Sequence, residues 1–362
     1  MKHNRSHAIA EVLAVGALAL SACDAVGPVQ PYAKDATIDC QGKSTLTASG
    51  STAQANAMTH FIKTYQDACA GRTVNYTSNG SGAGISEFIS GKTDFGGTDT
   101  PLEGDEYAAA KARCGGADAL NLPVVFGPLA ITFNLADVNV LTMDAPTLAK
   151  IFSGAITRWD DPAIIALNGN MPAEAITVVY RSDASGTTDN FQKYLQAASG
   201  GAWTKGAGKT FAGGVGVAAA GNEGTSALVK KTEGAISYNE WSFASERQLA
   251  AADIKTTTGI TVIGSDWVGK TISAVKINGT DNNVVLDLPP VYTPSVKGAY
   301  PILLATYEIV CSKYPDAQVG AAVKSFLHST ITKGQTDLNN SGYVPLPPDF
   351  QSKVSAAIDT IS

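Results

Sequence analysis

Ser44-Thr-Leu-Thr-Ala-Ser-Gly50-Ser-Thr52, Thr73-Val-Asn-Tyr-Thr-Ser-Asn-Gly80-Ser-Gly-Ala-Gly84 and Asp94-Phe-Gly-Gly-Thr-Asp99-Thr-Pro101 are three versions of one phrase. Each is a short β-like run that stops in a loop of glycine and hydroxyl residues and is followed by a helical pattern. After the first, residues 53–68 place Met58, Phe61, Ile62 and Tyr65 on one face. After the second, a helix is expected around Ile85–Ile89. After the third, Thr98-Asp99-Thr100-Pro101 reads as a helix start and Glu103–Arg113 as the helix. A β-loop-α order repeated three times predicts an α/β domain with a largely parallel sheet. Ligands of such sheets sit beyond the carboxyl ends of the strands, where loops meet helix N-termini.

The same signals resume further on. Leu122-Pro-Val-Val-Phe126-Gly-Pro128 is apolar and runs into a separate strand, Ala130–Asn134. Residues 144–153 are helical, Trp159-Asp-Asp-Pro-Ala163 marks a turn and helix start, and Ile176–Arg181 is a β run. A helix over 187–197 and a strand at Gly234–Tyr238 follow. Ala299-Tyr-Pro301-Ile-Leu-Leu leads into Ala305–Cys311, and 316–330 and 349–361 look helical. A chain that leaves one domain, builds a second and returns gives two lobes joined by two strands, able to close like a hinge. The expected boundaries are 44–125 with 299–362 for lobe I, and 126–298 for lobe II.

A fourth loop carries a cation. Arg181-Ser-Asp-Ala-Ser185-Gly186-Thr187 sets a guanidinium beside hydroxyls and the free N–H groups of a helix start, a receptor for a tetrahedral oxyanion. Each loop has a plainer reading. Ser51 and Thr52 can be ordinary helix caps, Gly80–Gly84 a flexible loop, Asp99 a cap beside Pro101, and Arg181 half of an ion pair with Asp183. Four such loops at strand ends favour a joint role.

The chain starts with Lys2, His3 and Arg5, then an apolar run from Ala8 to Leu20 broken by Glu11. That run is too short to span a membrane, which needs roughly 20 residues. It ends in Leu20-Ser-Ala-Cys23, the form of a lipobox, so 1–22 is expected to be a lipoprotein signal peptide and Cys23 the lipidated residue. Residues 23–43, rich in Pro and Gly at first, read as a tether. Net charge is −6 for the whole chain and about −7 once the signal is removed. An acidic protein without a basic patch is no nucleic-acid binder. Its anion site must work through local dipoles and one or two placed cations. Cys40, Cys69, Cys114 and Cys311 remain, an even set in an exported chain, with three possible disulfide pairings. No CxxC and no histidine cluster suggests a metal, and no cofactor is called for.

These motifs resemble the phosphate-binding lipoproteins of the phosphate-specific ABC importer, within the periplasmic solute-binding proteins, and the lipobox and extra cysteines resemble their actinobacterial members. The resemblance covers the chain from about residue 44. It implies a type II periplasmic-binding-protein fold, two α/β lobes with the ligand in the cleft between them. It implies phosphate contacts from Thr52 and Ala53 (the latter through its backbone N–H), Ser81, Asp99, Arg181, Ser185, Gly186 and Thr187. It further implies a non-enzymatic protein, lipid-anchored on the extracytoplasmic face of the cell membrane, that delivers phosphate to membrane permease components. Nothing indicates self-association, and a monomer is expected. Donor counting supports the ligand: Asp99 can only accept, so it asks for an O–H that phosphate has and sulfate lacks.

Other classes are weaker. An extracellular phosphatase or esterase would need Ser81 or Ser185 activated. Neither lies in a Gly-x-Ser-x-Gly elbow, and only His60 and His328 remain as histidine bases beyond the signal. A receptor for sulfate, molybdate or tungstate would have no use for Asp99. A sensor or adhesin that retains the fold is the remaining reading.

Overall fold

The computed structural model describes residues 37–362; the signal peptide, Cys23 and most of the tether lie outside them. The first wing of the fold follows the repeated phrase. Strands β1 (Thr45–Gly50), β2 (Thr73–Ser78) and β3 (Phe95–Thr98) alternate with helices α1 (Ala55–Ala68), α2 (Ser81–Ile89) and α3 (Asp105–Arg113). β1 pairs in parallel with both β2 and β3. α1 buries Ala57, Met58, Phe61 and Tyr65, the spacing of one helical face.

β4 (Ala119–Asn134) then runs without a break through the two stretches read as separate strands. β5 (Thr142–Asp144), α4 (Ala145–Phe152) and α5 (Pro162–Asn168) follow, with Asp144 and Asp161 capping the two helices. The second wing holds β6 (Thr177–Arg181), α6 (Gly186–Ala198), β7 (Val217–Ala219), α7 (Gly221–Lys231), β8 (Ala235–Glu240) and α8 (Trp241–Glu246). Short strands β9 (Ala250–Ala251), β10 (Asp253–Thr256) and β11 (Gly259–Thr261), helix α9 (Ser265–Ile272), and strands β12 (Lys276–Ile277) and β13 (Leu286–Asp287) lead to β14 (Leu303–Cys311). Helices α10 (Ala317–Ile331) and α11 (Pro348–Asp359) finish the chain. α10 packs on α1 and α11 on α10, so the C-terminal helices return to the first wing.

The main sheet has the order β2-β1-β3-β14-β4-β8-β6-β7. Its wings are parallel, but its centre is not: β14 is antiparallel to β3 and β4, and β4 to β8. The expectation of a largely parallel sheet therefore holds for the wings and fails at the join. There β4 changes partner, pairing with β14 up to Pro128 and with β8 from Leu129 onward. One strand thus runs through both halves of a two-lobed α/β fold. The carboxyl ends of β1, β2 and β3 and those of β6, β7 and β8 converge on the same region, because the first wing runs in the direction of β4 and the second runs against it.

Two further expectations are corrected. Thr98–Pro101 does not start a helix; α3 begins at Asp105, after Gly104 at φ 52°. Asp99 turns inward instead, and Thr98 Oγ1 bonds its own loop, accepting from Thr100 N–H and donating to Thr100 C=O. Nor are the last tether residues free. Ile38 is buried, Lys43 N–H donates to Gln318 C=O on α10, and Cys40 is bonded to Cys69. The second disulfide joins Cys114 to Cys311, where β4 and β14 pair at Ala119 and Cys311. Both bridges lie at the opposite end of the strands from the converging loops.

Candidate functional site

Asp99 is the centre of the converging loops. Its Oδ1 accepts from Ser51 Oγ (2.6 Å) and from Thr306 Oγ1 of β14 (2.9 Å). Its Oδ2 has a longer partner, Ser81 Oγ at 3.3 Å, and Ser81 Oγ in turn accepts from the Asp99 N–H at 3.1 Å. Asp99 is 2 % exposed. Burial pushes its carboxyl up to about 6, against the opposing pull of the Ser51 and Thr306 hydroxyls, the Arg181 charge and Ser81. Oδ1 is filled and Oδ2 keeps accepting capacity toward the other side of the cleft.

Arg181 comes from the end of β6 in the second wing and is equally buried. It grips Asp183 with two hydrogen bonds, Nε to Oδ1 at 2.8 Å and Nη2 to Oδ2, and its Nη1 donates to Thr187 Oγ1 at 3.1 Å. The ion pair with Asp183 and the joint role with Thr187 therefore coexist. Asp183 also accepts from Gly221 N–H at 2.9 Å. Burial works against its charge, but the Arg181 hydrogen bonds and charge, with that N–H, hold its carboxyl below the usual range.

Ser185 caps α6, its Oγ accepting from Thr188 N–H at 3.1 Å. Gly186 and Thr187 open that helix, so their N–H groups belong to the turn that has no intrahelical partner. Across the cleft, Thr52 Oγ1 accepts from Asn222 N–H and Nδ2, both at 3.1 Å. Ala53 N–H, expected to face a ligand, is engaged by Ser51 Oγ at 3.0 Å.

The two sides touch. Gly82 N–H donates to Ala184 C=O at 2.9 Å, Thr100 Oγ1 to Asp189 at 2.8 Å, and Asn190 Nδ2 to Asp99 C=O at 2.9 Å. A Cβ on Gly80 would fall 2.5 Å from Asp183 Oδ2, and one on Gly82 would fall 2.5 Å from Ala184 Cβ. These glycines permit an approach that any side chain would block. At the rim a cavity of about 400 Å³ is bounded by Thr52, Asn79, Asp183 and Gly221.

Six of the eight residues expected at the site (Thr52, Ser81, Asp99, Arg181, Gly186 and Thr187) form one buried cluster, with Ser185 at its edge and Ala53 turned to Ser51. Sequence reading missed Ser51 and Thr306 as partners of Asp99, and Asn222 altogether. Asn222 had a signal: Ala220-Gly-Asn-Glu-Gly224 is another small-residue loop opening a helix. Thr306 had none, since it lies inside a buried strand. Two more acids lie below. Burial pushes Glu240 up to about 8 against its bonds from Ser242, and holds Glu308 far above the usual range against the Gln54 amide. Neither histidine lies near Ser81 or Ser185; His328 instead meets Asp359 at 3.1 Å.

A family model of the PBP superfamily domain matches residues 35–330. The phosphate-binding protein PstS 3 of Mycobacterium tuberculosis is 58% identical over 371 residues, covering 100% of both chains. The phosphate-binding protein PstS of Xylella fastidiosa is 32% identical over 300 residues, 80% of this chain and 78% of its own. Among solved structures, a periplasmic phosphate-binding protein (PfluDING) with bound phosphate superposes with a TM-score of 0.71 at 22% identity, covering 86% of this chain and 93% of that one. The phosphate-binding protein from Stenotrophomonas maltophilia gives 0.69 at 22% identity, over 87% and 94%. Fold and converging loops define a two-lobed solute-binding protein, and the chain belongs to the PBP superfamily and, within it, to the PstS family of phosphate-binding proteins. It is a binding protein of the transport kind, not an enzyme.

Proposed function

We propose that this protein captures inorganic phosphate outside the cytoplasm and hands it to an ABC importer, with Thr52, Ser81, Asp99, Arg181, Ser185, Gly186 and Thr187 around the anion. The observation that carries this is Asp99: a buried carboxylate whose Oδ2 retains accepting capacity among site hydroxyls, N–H groups and the Arg181 guanidinium, whereas the other carboxylate, Asp183, is taken up by Arg181 and Gly221 N–H. A carboxylate accepts only, so it matches a ligand oxygen that carries a proton. Sulfate at neutral pH has none, and its lone pair would face the carboxylate in a dry site. Leaving a buried polar group unpaired gives discrimination of roughly 10⁴–10⁵. Arg181, held flat by Asp183, supplies the cation, and the hydroxyls and first-turn N–H groups of α6 supply the remaining donors.

The lobes, 44–125 with 299–362 and 126–298, would open about β4 and the stretch leading into β14 and close as the loops are now closed. Lipid on Cys23 would hold the monomer at the membrane, beside the permease. Among the described residues no helix is long and apolar enough to cross a membrane.

The test is retention of labelled phosphate by the purified, ligand-stripped protein under competition. Displacement by unlabelled phosphate and arsenate, but not by a large excess of sulfate, is the expected pattern. Equal displacement by sulfate would remove the basis for phosphate as the ligand.

A further inference from the structure

We propose that Asn222 is a positioning residue that fixes the polarity of two site hydroxyls, Thr52 and Thr187, one on each side of the cleft. The inference deepens the phosphate reading and rests on it. Asn222 is fully buried at the second position of α7. Its backbone N–H and its Nδ2 both reach Thr52 Oγ1 at 3.1 Å, and Nδ2 also reaches Thr187 Oγ1 at 3.3 Å. Arg181 Nη1 gives Thr187 Oγ1 its second donor at 3.1 Å. The orientation of the amide is settled by its other end, where Oδ1 accepts from the Glu240 N–H at 2.9 Å, which only the carbonyl oxygen can do.

A hydroxyl has one proton to give and two lone pairs to fill. On Thr52 and on Thr187 both accepting positions are taken by N–H groups. The proton of each is therefore directed away from those donors, toward whatever lies between the two threonines. Without Asn222 each hydroxyl could turn and accept, and its value as a donor to an anion would be diluted. Asp183 bonds Gly221 N–H at 2.9 Å, and Gly221 adopts φ +66°. This places Asn222 in register with the same Arg181–Asp183 pair that carries the cation. One amide thereby ties the donor set of the second wing to Thr52 of the first. Only unprotonated ligand oxygens fit the two threonines, and the protonated one is steered to Asp99.

The experiment is a mutant cycle read by calorimetric titration of the full-length, ligand-stripped protein with inorganic phosphate. The wild type, Asn222→Ala, the double variant Thr52→Val with Thr187→Val, and the triple combination are compared. Each is first melted without ligand to show that it folds. Asn222→Ala is expected to weaken phosphate at least tenfold, and the triple variant to bind within about twofold of the double, because Asn222 acts through hydroxyls already removed. If Asn222→Ala does not fold, Asn222→Ser carries the same comparison, since its polar side chain suits the buried position yet lacks the amide that reaches Thr52 and Thr187. A triple variant weaker than the double by the full single-variant factor overturns the inference while leaving the phosphate reading intact. Absence of phosphate binding by the wild type overturns both.

Discussion

Gly186 packs directly on Asp99. A Cβ at Gly186 would lie 2.6 Å from Asp99 Cβ, 2.6 Å from Ser81 Oγ and 2.9 Å from Asp99 Oδ2. The first residue of α6 in the second wing thus closes over the carboxylate of the first. Gly186→Ala should hold the lobes apart and weaken phosphate roughly 10- to 100-fold, as overpacking by ~1–3 kcal/mol implies. The unliganded protein, free to open, should melt within a degree or two of wild type. Calorimetry beside a thermal melt checks this, and unchanged affinity would show that closure does not bring these residues together.

Arg181 is clamped by Asp183 and touches Thr187, a geometry that only a planar fork reproduces. Arg181→Ala should cost ~2–5 kcal/mol of phosphate binding, since a desolvated charge pair is broken. Arg181→Lys should recover only part of that loss, because an ammonium cannot make both bonds to Asp183. Dissociation constants for the two variants decide it, and full rescue by lysine would reduce the role to bare charge.

Titration of the buried acids gives a stability profile with a definite sign. Asp99 rises from 3.8 to about 6 and Glu240 from 4.5 to about 8 on folding, burial being the first cause for each. A raised folded value favours the protonated form, so the stability it contributes is complete below the unfolded values. It is lost as pH climbs through 6 and then 8. The urea midpoint of the ligand-free protein should therefore be higher at pH 5 than at pH 8.5. Glu240→Gln should lessen the fall between pH 7 and 8.5, and Glu308, which burial also holds protonated there, should sustain the rest. That fall is worth ~1.4 kcal/mol for each step of one in pH over which the folded carboxyl keeps a proton that the unfolded one has lost. A midpoint that rises across that range would contradict the assignment.

The Cys114–Cys311 bridge closes a loop of 197 residues at the end of the strands away from the site. Replacing both cysteines by serine should cost ~2–5 kcal/mol of stability, seen as a lower melting temperature. Phosphate affinity should stay within about threefold of wild type, because no site residue moves. A large loss of affinity in a folded variant would tie the bridge to the cleft.

Much of this architecture was legible because it is local. The three β-loop-α phrases, the face of Met58, Phe61 and Tyr65, and the helix after Ser185 each depend on a few neighbouring residues. The join between the wings is not local. Pro123 and Pro128 argue for a break in β4, yet the strand continues, flanked there by β14 on one side and by a single bridge from Phe126 to Val344 on the other. Such an open edge tolerates proline. Asp99 shows the same limit at the site. Its neighbours Thr98 and Pro101 are those of a helix cap, and what draws it inward is Ser51, Ser81 and Thr306, up to 207 residues away. The hydroxyl-rich loops could be recognised one by one, whereas the disulfide pairing and the cross-cleft amide of Asn222 exist only once the chain has folded.

The proposed role of Asp99 is to filter anions by requiring a ligand proton. Its most direct test is calorimetric titration of wild type and Asp99→Asn, both stripped of ligand, at neutral pH with phosphate and then with sulfate. The wild type should bind phosphate at micromolar or tighter concentration and give no heat with sulfate, while Asp99→Asn, which adds a donor, should bind the two anions far more evenly. Phosphate preference preserved intact in Asp99→Asn would rule that role out.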